Sequence, residues 1–470
     1  MPSLSTLPVV VAALFGPPLL ACGDDIADDG DSTGAATGGS LDPLSMPSEP
    51  TLTPSDFNSA RDCEQCHPDH VAEWELSRHA YAMTDPVFRA LVEIRQSDLD
   101  GVEDQFCTSC HSSICTRGGE CIPGFSFESL SPIALEGITC EACHKVQEVV
   151  RPYNSGHLID GTAALGGNIK DPTRNAYHES KYDALFDSSE FCAGCHDVLE
   201  TNGLNLERPY AEWLESAAPA AGKTCQSCHM PTYEGVAALG APTRTDLHRH
   251  RFLGVELPRI PEILSDPALA ATLNAEIDTL LQTAASMALT VPEQVTAGRQ
   301  LDLVITVRNE IGAHAFPTGS TNLRQVWIEV TATNGEGTVL YETGKLDANG
   351  DLGNVWSTIE PHSDPDLLLL SSTLIDAVGQ PTLYSWNASE HRTGSISPGH
   401  DRTFTLFVPV PEGTTGEIQI EAVVHFRTYP PHLIAKLGLT DTMGDALVVR
   451  DVTTASATVQ VVASGAMHEE

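Results

Sequence analysis

Cysteine and histidine recur along this chain in one short pattern. Five segments read Cys-x-x-Cys-His. From this composition only roughly 0.01 such matches would arise by chance, so the five segments indicate a shared chemical role. The segments contain Cys63, Cys66 and His67; Cys107, Cys110 and His111; Cys140, Cys143 and His144; Cys192, Cys195 and His196; and Cys225, Cys228 and His229.

The spacing within each segment suits a haem that is attached covalently. On a helical turn, positions i, i+3 and i+4 share one face. Two thiols can therefore bond the porphyrin vinyl groups while the imidazole ligates the iron. A single Cys-x-x-Cys pair would fit zinc or thiol-disulfide chemistry equally well. Because a histidine follows all five pairs, the sequence predicts five c-type haems.

Each haem iron has a second axial position, whose occupant separates electron transfer from open-site chemistry. The clearest candidate is His79, twelve residues after His67 on what the pattern predicts to be one helix. With a rise of 1.5 Å per residue the two would lie about 18 Å apart, whereas imidazole nitrogens on one iron lie about 4 Å apart. His79 is therefore predicted to ligate a different haem, with an exposed histidine as the alternative.

Other histidines outside the five motifs are further candidates for distal ligands. A surface position is nearly as good an interpretation for each. Met83 and Met230 could also ligate iron, but methionine at helical spacing is more often part of a core. The candidate histidines are His157, His178, His248 and His250.

Several of these segments carry a family resemblance. Cys63-Glu-Gln-Cys-His, followed by Trp74, Ser77, His79 and Ala80, resembles the multihaem cytochromes of the c-552/c-554 type, which are related to hydroxylamine oxidoreductase. The segments that begin at Gly137 and Thr224 fit the same pattern. The resemblance covers roughly residues 57–252. It implies closely packed haems with two histidine ligands each, His79 being one distal ligand.

A segment beyond the haem motifs also resembles sequences in secreted cytochromes. Gly312-Ala-His-Ala-Phe-Pro-Thr-Gly is similar to a stretch that often follows such haem domains. Its His314 could reach back to a haem. A turn-capping or interface histidine is equally consistent with the sequence.

Two smaller features have structural interpretations. Cys115 and Cys121 lack a following histidine, and in an oxidising exterior they most simply form a disulfide. The stretch from Asp347 to Asp351 is rich in oxygen ligands like a calcium loop, but the downstream glutamate of an EF-hand is missing. Turn chemistry is the better interpretation there.

The N-terminus has the features of an export signal. An apolar stretch from Leu7 to Leu20 is too short to span a bilayer but matches a signal peptide core. Leu19-Leu20-Ala21-Cys22 resembles a bacterial lipoprotein signal, although residues 1–21 contain no Lys or Arg. We expect a signal peptide over 1–21, a lipidated Cys22 as membrane anchor, and a periplasmic or cell-surface location.

Composition shifts divide the remaining chain into parts. We predict a flexible acidic linker over 22–55, a pentahaem domain of short helices and irregular structure over 56–266, and a connecting helix over 267–287. Period-two runs, such as Leu301, Leu303, Ile305 and Val307, then predict an all-β, immunoglobulin-like sandwich over 288–463 and a tail over 464–470.

Charge and motifs together favour an electron carrier. The 64 acidic and 25 basic residues give a formal net charge of -39, which repels nucleic acid and favours redox partner proteins that dock through basic patches. Simple solubility explains the charge equally well. A redox enzyme with one open haem, acting on nitrite, hydroxylamine or a sulfur oxyanion, is the second hypothesis, and a binding module built on the sandwich is the third. The Cys-x-x-Cys-Lys motif of ammonia-forming nitrite reductases does not occur in this sequence.

Overall fold

The computed structural model describes residues 52–444 and 447–464. The expected signal peptide, the lipidated Cys22, most of the linker and nearly all of the tail lie outside the described residues. Within the described part, none of the helices has both the length and the apolar character needed to cross a bilayer.

Helices in the first part of the chain are short, and the longest stand apart from the cysteine motifs. Short 3-10 turns occur at Pro54–Asp56, Phe127–Ser129, Ala184–Asp187 and Ser385–Asn387. The α-helices are Ala60–Cys63 (α1), Pro68–Glu75 (α2), Arg78–Tyr81 (α3), Pro86–Asp98 (α4), Gln105–His111 (α5), Ser113–Arg117 (α6), Pro132–Leu135 (α7), Cys140–His144 (α8), Ser189–Ala193 (α9), Pro209–Glu215 (α10), Cys225–His229 (α11), Pro261–Leu264 (α12), Pro267–Gln282 (α13), Pro431–Lys436 (α14) and Thr440–Met443 (α15).

Strands before residue 285 form small two-stranded ladders, whereas those after it build larger sheets. The strands are Val146–Val149 (β1), His157–Ile159 (β2), Leu165–Gly167 (β3), Ser180–Tyr182 (β4), Val198–Leu199 (β5), Asn205–Glu207 (β6), Thr232–Val236 (β7), Thr243–His248 (β8), Ala285–Thr290 (β9), Gln294–Thr296 (β10), Gln300–Asn309 (β11), Gln325–Asn334 (β12), Val339–Thr343 (β13), Leu368–Leu369 (β14), Thr373–Asp376 (β15), Pro381–Thr382 (β16), Ala388–Arg392 (β17), Asp401–Pro409 (β18), Gly416–Arg427 (β19) and Arg450–Val462 (β20).

The predicted single helix from His67 to His79 is wrong. Helix α2 ends at Glu75 and α3 begins at Arg78. The break lies at Ser77, whose extended backbone and side-chain oxygen, which accepts the N–H of Ala80, make it the N-cap of a new helix. Serine competes with helical hydrogen bonding in this way, and the capped turn gives His79 a new direction.

Two sheets enclose the core of the C-terminal part, which we call the β region (residues 285–464). One sheet has the strand order β10-β20-β19-β12-β13, with β14 on β12, and the other has the order β18-β11-β9. The alternating residues Leu301, Leu303, Ile305 and Val307 of β11 are fully buried and pack with apolar residues of the other sheet. The predicted period-two strand is therefore confirmed, and so is its buried face.

The connecting helix is shorter than predicted. Helix α13 ends at Gln282, and residues 285–287, assigned to the helix by sequence, belong to strand β9. The apolar spacing that indicated a helix stops at Leu281, while Ala285, Met287 and Leu289 alternate and pair with β11. Ile277 and Leu281 pack into the core of the β region, so the helix belongs to that part of the fold.

The motif region (residues 52–266) and the β region meet at an interface with apolar and polar contacts, which we call the seam. Val87 of α4 packs against Leu433 and Ile434 of α14. Beside this contact, Arg78 pairs with Glu256, and the hydroxyl of Tyr429 donates to the same Glu256 carboxylate at 3.2 Å. Buried charges placed like this must be paired to be tolerated, so they fix how the two parts meet.

Candidate functional site

Every Cys-x-x-Cys-His motif adopts a helical turn. Helices α5, α8 and α11 end at the histidines of the second, third and fifth motifs. In the first and fourth motifs the histidine N–H donates to the carbonyl of the first cysteine, at 2.8 Å for His67 and 2.9 Å for His196. Both thiols and the histidine thus start from one face of one turn. We number the motifs site 1 to site 5 in chain order.

Four of the five motif histidines face a second imidazole at one recurring separation. The ring centroids lie 6.2 Å apart for His67 and His178, 6.1 Å for His79 and His196, 6.3 Å for His144 and His250, and 6.4 Å for His229 and His314. Two imidazoles that share one iron have nitrogens about 4 Å apart, which puts their ring centroids roughly 6 Å apart. The observed separations therefore fit an iron atom between the rings. His70 also lies 6.2 Å from His67, but its Nε2 is 3.3 Å from the hydroxyl of Tyr233.

Backbone carbonyls orient most of these imidazoles. The Nδ1 of His67 lies 2.6 Å from the Ala237 carbonyl, and that of His144 lies 2.6 Å from the Gly166 carbonyl. Since a carbonyl only accepts, Nδ1 must carry the proton, which leaves the Nε2 lone pair free for a metal. Similar contacts hold His229 to Leu253, His250 to His248 and His314 to Ala315, at 3.1, 2.9 and 2.9 Å.

Burial favours the neutral form of five of the paired imidazoles by lowering their pKa values. It lowers the pKa of His79 to about 3, with a further contribution from neighbouring His196, and it lowers the pKa of His196 to about 4. Burial also lowers the pKa of His250 to about 3 and shifts the pKa values of His144 and His314 in the same direction. Iron needs an unprotonated nitrogen, so these pKa values suit the role of ligand.

Site 2 differs from the other four sites. The imidazole of His111 stacks on the ring of Phe88, with centroids 3.9 Å apart and an interplanar angle of 8°. Phe88 therefore covers one face of the ring. The Ala82 carbonyl lies 3.4 Å from Nδ1, at the edge of the ring. No imidazole among the residues that the structure describes faces His111 at the separation found in the other sites.

Two candidate histidines lie outside the pairs. The Nε2 of His157 lies 2.7 Å from the Phe191 carbonyl and therefore carries a hydrogen-bonded proton in place of a free lone pair. His248 is the last residue of strand β8, and its Nδ1 lies 2.6 Å from the Met230 carbonyl. Met83 is fully buried in an apolar cluster with Phe88, as expected for a core methionine.

Contacts between cysteine thiols of different motifs give the spatial order of the sites. The thiols of Cys63 and Cys140 lie next to each other, which joins sites 1 and 3. The thiols of Cys192 and Cys225 likewise join sites 4 and 5, and Cys143 of site 3 lies near Cys192. The thiol of Cys110 lies next to that of Cys195, which attaches site 2 to site 4. The sites therefore run 1-3-4-5 in space, with site 2 as a branch.

Both ends of this series reach the surface. At site 1, His178 is exposed and its neighbour Tyr177 is 84% exposed. At site 5, Cys228 is exposed, whereas the other nine motif cysteines are half-buried. Other molecules can therefore approach sites 1 and 5 from solution.

The smaller expectations have clear outcomes. Cys115 and Cys121 form the predicted disulfide, with Cα atoms 5.1 Å apart. The oxygen-rich loop is a turn, as predicted, because the Asp347 carboxylate accepts the N–H groups of Asn349 and Asp351. Phe88 was not identified from the sequence. Its position in the first turn of a helix that begins at Pro86 is the one sequence feature that suggests a buried aromatic residue there.

Comparisons with known proteins find similarity to multihaem cytochromes. Residues 62–145 match the model of a family described as cytochrome c554 and c-prime. The chain is similar to a solved penta-haem cytochrome c552 from Thermochromatium tepidum, with a TM-score of 0.61 and 17% identity over 86% of this chain and 99% of that chain. The two share a fold. Together the findings support a multihaem c-type cytochrome.

Other comparisons contribute less. A CARDB domain from Pyrococcus furiosus matches with a TM-score of 0.17 and 11% identity, over 38% of this chain and 87% of that chain. A cohesin module from Clostridium perfringens matches with a TM-score of 0.19 and 11% identity, over 39% of this chain and 99% of that chain. No curated protein sequence matches the chain.

Proposed function

We propose that this protein is an extracytoplasmic electron-transfer cytochrome with five c-type haems, four of which have two histidine ligands. The observation that carries the proposal is the set of four imidazole pairs at separations of 6.1 to 6.4 Å, each pair including one motif histidine. An iron with both axial positions filled exchanges electrons without binding substrate.

The residues fit this cofactor at each site. Two cysteines on one helical turn would hold each haem through thioether bonds, and the motif histidine would be its proximal ligand. The distal ligands would be His178 at site 1, His250 at site 3, His79 at site 4 and His314 at site 5. The haem supplies a one-electron couple, while the chain fixes the imidazoles through carbonyls such as those of Ala237 and Gly166.

Every distal ligand in this scheme comes from a different part of the chain than its motif. His79 lies between the motifs of sites 1 and 2 but faces site 4, and His250 follows site 5 but faces site 3. Such crossing ties neighbouring sites together and keeps them close, as fast electron hopping requires. We infer that electrons pass between the two surface ends through sites 1, 3, 4 and 5.

Haem content and spin state test the proposal. Protein made in cells with a cytochrome maturation pathway should contain five haems by pyridine haemochrome assay and by mass. Electron paramagnetic resonance of the oxidised protein should give four low-spin haems and one high-spin haem. Colourless protein, or zinc at the motifs, would overturn the proposal, and so would haems that dithionite fails to reduce.

A second function is favoured by one observation at site 2. The ring of His111 stacks on Phe88, and it faces no second imidazole among the described residues. An iron held there would keep one coordination position open, and a redox reaction on a small molecule needs such a position. We propose reduction or oxidation of a small nitrogen or sulfur compound at site 2 as the alternative to pure electron transfer.

Substrate addition distinguishes the two functions. If site 2 is catalytic, nitrite or hydroxylamine should shift the high-spin signal and be consumed in the presence of an electron donor or acceptor. A high-spin signal that shifts without turnover would support a carrier with an idle open site. Five low-spin haems would remove the alternative.

The location and partners follow from the sequence. We propose that a lipidated Cys22 tethers the protein in the periplasm or on the cell surface, and that its redox partners are proteins with basic docking patches. The strongly acidic composition is the support for such partners. We also assign the β region to the immunoglobulin-like class of sandwiches, its role being to supply His314 and to brace the motif region.

A further inference from the structure

A polar cavity lies in the seam between the motif region and the β region. Its volume is about 440 Å³. One wall is formed by residues 203–206 together with Arg208 and Glu212, and the other by residues of the β region that include Thr321 and, on strand β17, His391. Hydroxyl, imidazole, guanidinium and carboxylate groups line it, so the cavity has the polarity and the room to hold several water molecules.

One carboxylate lines this cavity, and a second lies next to its lining residues. Glu212 of α10 lines it, and its Oε2 accepts the N–H of Ala315, at 3.0 Å, and the hydroxyl of Thr318, at 2.5 Å. Glu207, at the end of β6, lies beside the lining residues and accepts the hydroxyl of Ser320. Burial raises the pKa values of both carboxyl groups above their usual range.

Other charged and titratable groups surround the pair. Glu207 faces Arg324, Asp197 and His391, and Glu212 faces Asp197 and Arg208. Arg208 is held by Asp197, at 2.6 Å, so its charge is largely compensated. The N–H of the His391 Nδ1 donates to the Asn205 carbonyl at 2.9 Å. Arg324 lies 3.7 Å from Glu256, so Glu207 shares this guanidinium with a second carboxylate.

Both carboxylates are connected to haem sites. Glu207 is within electrostatic range of the Cys110 thiol in site 2. Glu212 bonds the loop that carries His314, the imidazole that faces His229 of site 5. A negative charge near an iron stabilises its oxidised form, so the charge state of these groups and the oxidation state of the iron affect each other.

We infer that Glu207 and Glu212 are a proton-uptake site that couples electron uptake by sites 2 and 5 to protons drawn through the seam cavity. In the balanced step, one iron(III) held at site 2 or site 5 would gain one electron from the external donor and become iron(II). One carboxylate gains a proton from water in the cavity, with bulk solvent as the source, and the step leaves the net charge of the pair of groups unchanged. The inference rests on the proposed function, because it requires haems at sites 2 and 5.

Potentiometric titration tests the inference on the full haem-loaded protein. Between about pH 5 and pH 9 the midpoint potentials of one or two haems should fall as the pH rises. Above the carboxyl pKa the ionised groups favour iron(III), and below it they are neutral. In Glu207→Gln and Glu212→Gln the dependence on pH should weaken or vanish. At high pH, the haems of these variants should retain the higher midpoint potentials that the wild-type protein shows at low pH.

A matched control and a haem count keep the outcomes separate. Glu215→Gln changes an exposed carboxylate on the same helix and should leave the dependence on pH intact. Each variant is assayed for five haems by pyridine haemochrome. If five haems are present and both Gln variants retain the wild-type dependence on pH, the proton site is refuted while the electron-transfer function stands. If haem is absent from the wild-type protein, the proposed function itself fails.

Discussion

At the scale of single residues, burial and hydrogen bonding prepare the histidines for iron. Imidazoles such as His250 are held neutral by burial and have Nδ1 tied to a carbonyl, so only Nε2 remains for the metal. His157 has the opposite arrangement, with Nε2 tied to the Phe191 carbonyl. The hydrogen-bonding nitrogen therefore argues against His157 as a ligand, whereas His248, whose Nδ1 also meets a carbonyl, differs from the ligands only in its position.

His250 and His248 are a matched pair for testing the assignment, because both have Nδ1 at a backbone carbonyl but only His250 faces a motif histidine. His250→Ala should convert one low-spin haem to high spin while five haems stay attached, because the ring that faces His144 is removed. His248→Ala, two residues away, should leave all low-spin signals in place. Electron paramagnetic resonance with mass spectrometry provides both readouts. Equal spectra for the two variants would show that His250 is not a ligand.

At the scale of elements, short capped helices position the ligands. Helix α3 has four residues and could not persist alone, so it depends on its Ser77 cap and on tertiary packing. The same helix carries His79, whose ring lies 4.4 Å from the ring of Phe252. The direction of one ligand thus depends on one buried hydroxyl.

Ser77→Ala should therefore affect both stability and spectrum. Loss of the cap should lower the free energy of unfolding by about 1 kcal/mol. Freed from its cap, α3 should let His79 detach part of the time, which gives a fractional high-spin signal. Asp266→Ala removes the cap of α13, which carries no site residue, and should destabilise similarly with an unchanged spectrum. Denaturant titration and paramagnetic resonance measure the two effects.

The loop after β11 would make the β region part of the proposed electron-transfer series. His314 lies in this loop, and Glu212 of the motif region holds it through Ala315 and Thr318. His314→Ala should turn the haem of site 5 high-spin without loss of haem or of the β fold. Circular dichroism checks the fold, and an unchanged low-spin count would contradict the assignment.

At the scale of the whole molecule, the series of sites and the net charge determine how electrons enter and leave. The ends at sites 1 and 5 are accessible, and the chain has a formal net charge of -39. Encounters with charged partners are steered over about a Debye length, roughly 10 Å at 0.1 M salt. The charge therefore acts on association rates more than on the electron-transfer step itself.

Small inorganic oxidants test this steering. Oxidation of the reduced protein by hexaammineruthenium(III), a cation, should slow several-fold as ionic strength rises from about 0.01 M to about 0.5 M. Oxidation by hexacyanoferrate(III), an anion, should accelerate over the same range because repulsion is screened. Stopped-flow absorbance follows both reactions. The same salt dependence for both oxidants would show that local positive charge dominates at the haems.

The sequence by itself determined the attachment chemistry and the β region. The five motifs specify helical turns because thiols at i and i+3 and a histidine at i+4 must share a face, and α5, α8 and α11 have this form. Alternation in β11 specified a half-buried strand for the same local reason. Such features depend on neighbouring residues, so they can be predicted from residue order.

Only the tertiary structure decided which imidazole faces which motif. His79 faces His196 across 117 positions of chain, and no local pattern distinguishes this partner from His67 or His144. The branch position of site 2 and the stacking of Phe88 on His111 are equally non-local. Long-range contacts arise from how short helices pack once their caps and buried charges are satisfied, and that packing is a property of the whole chain.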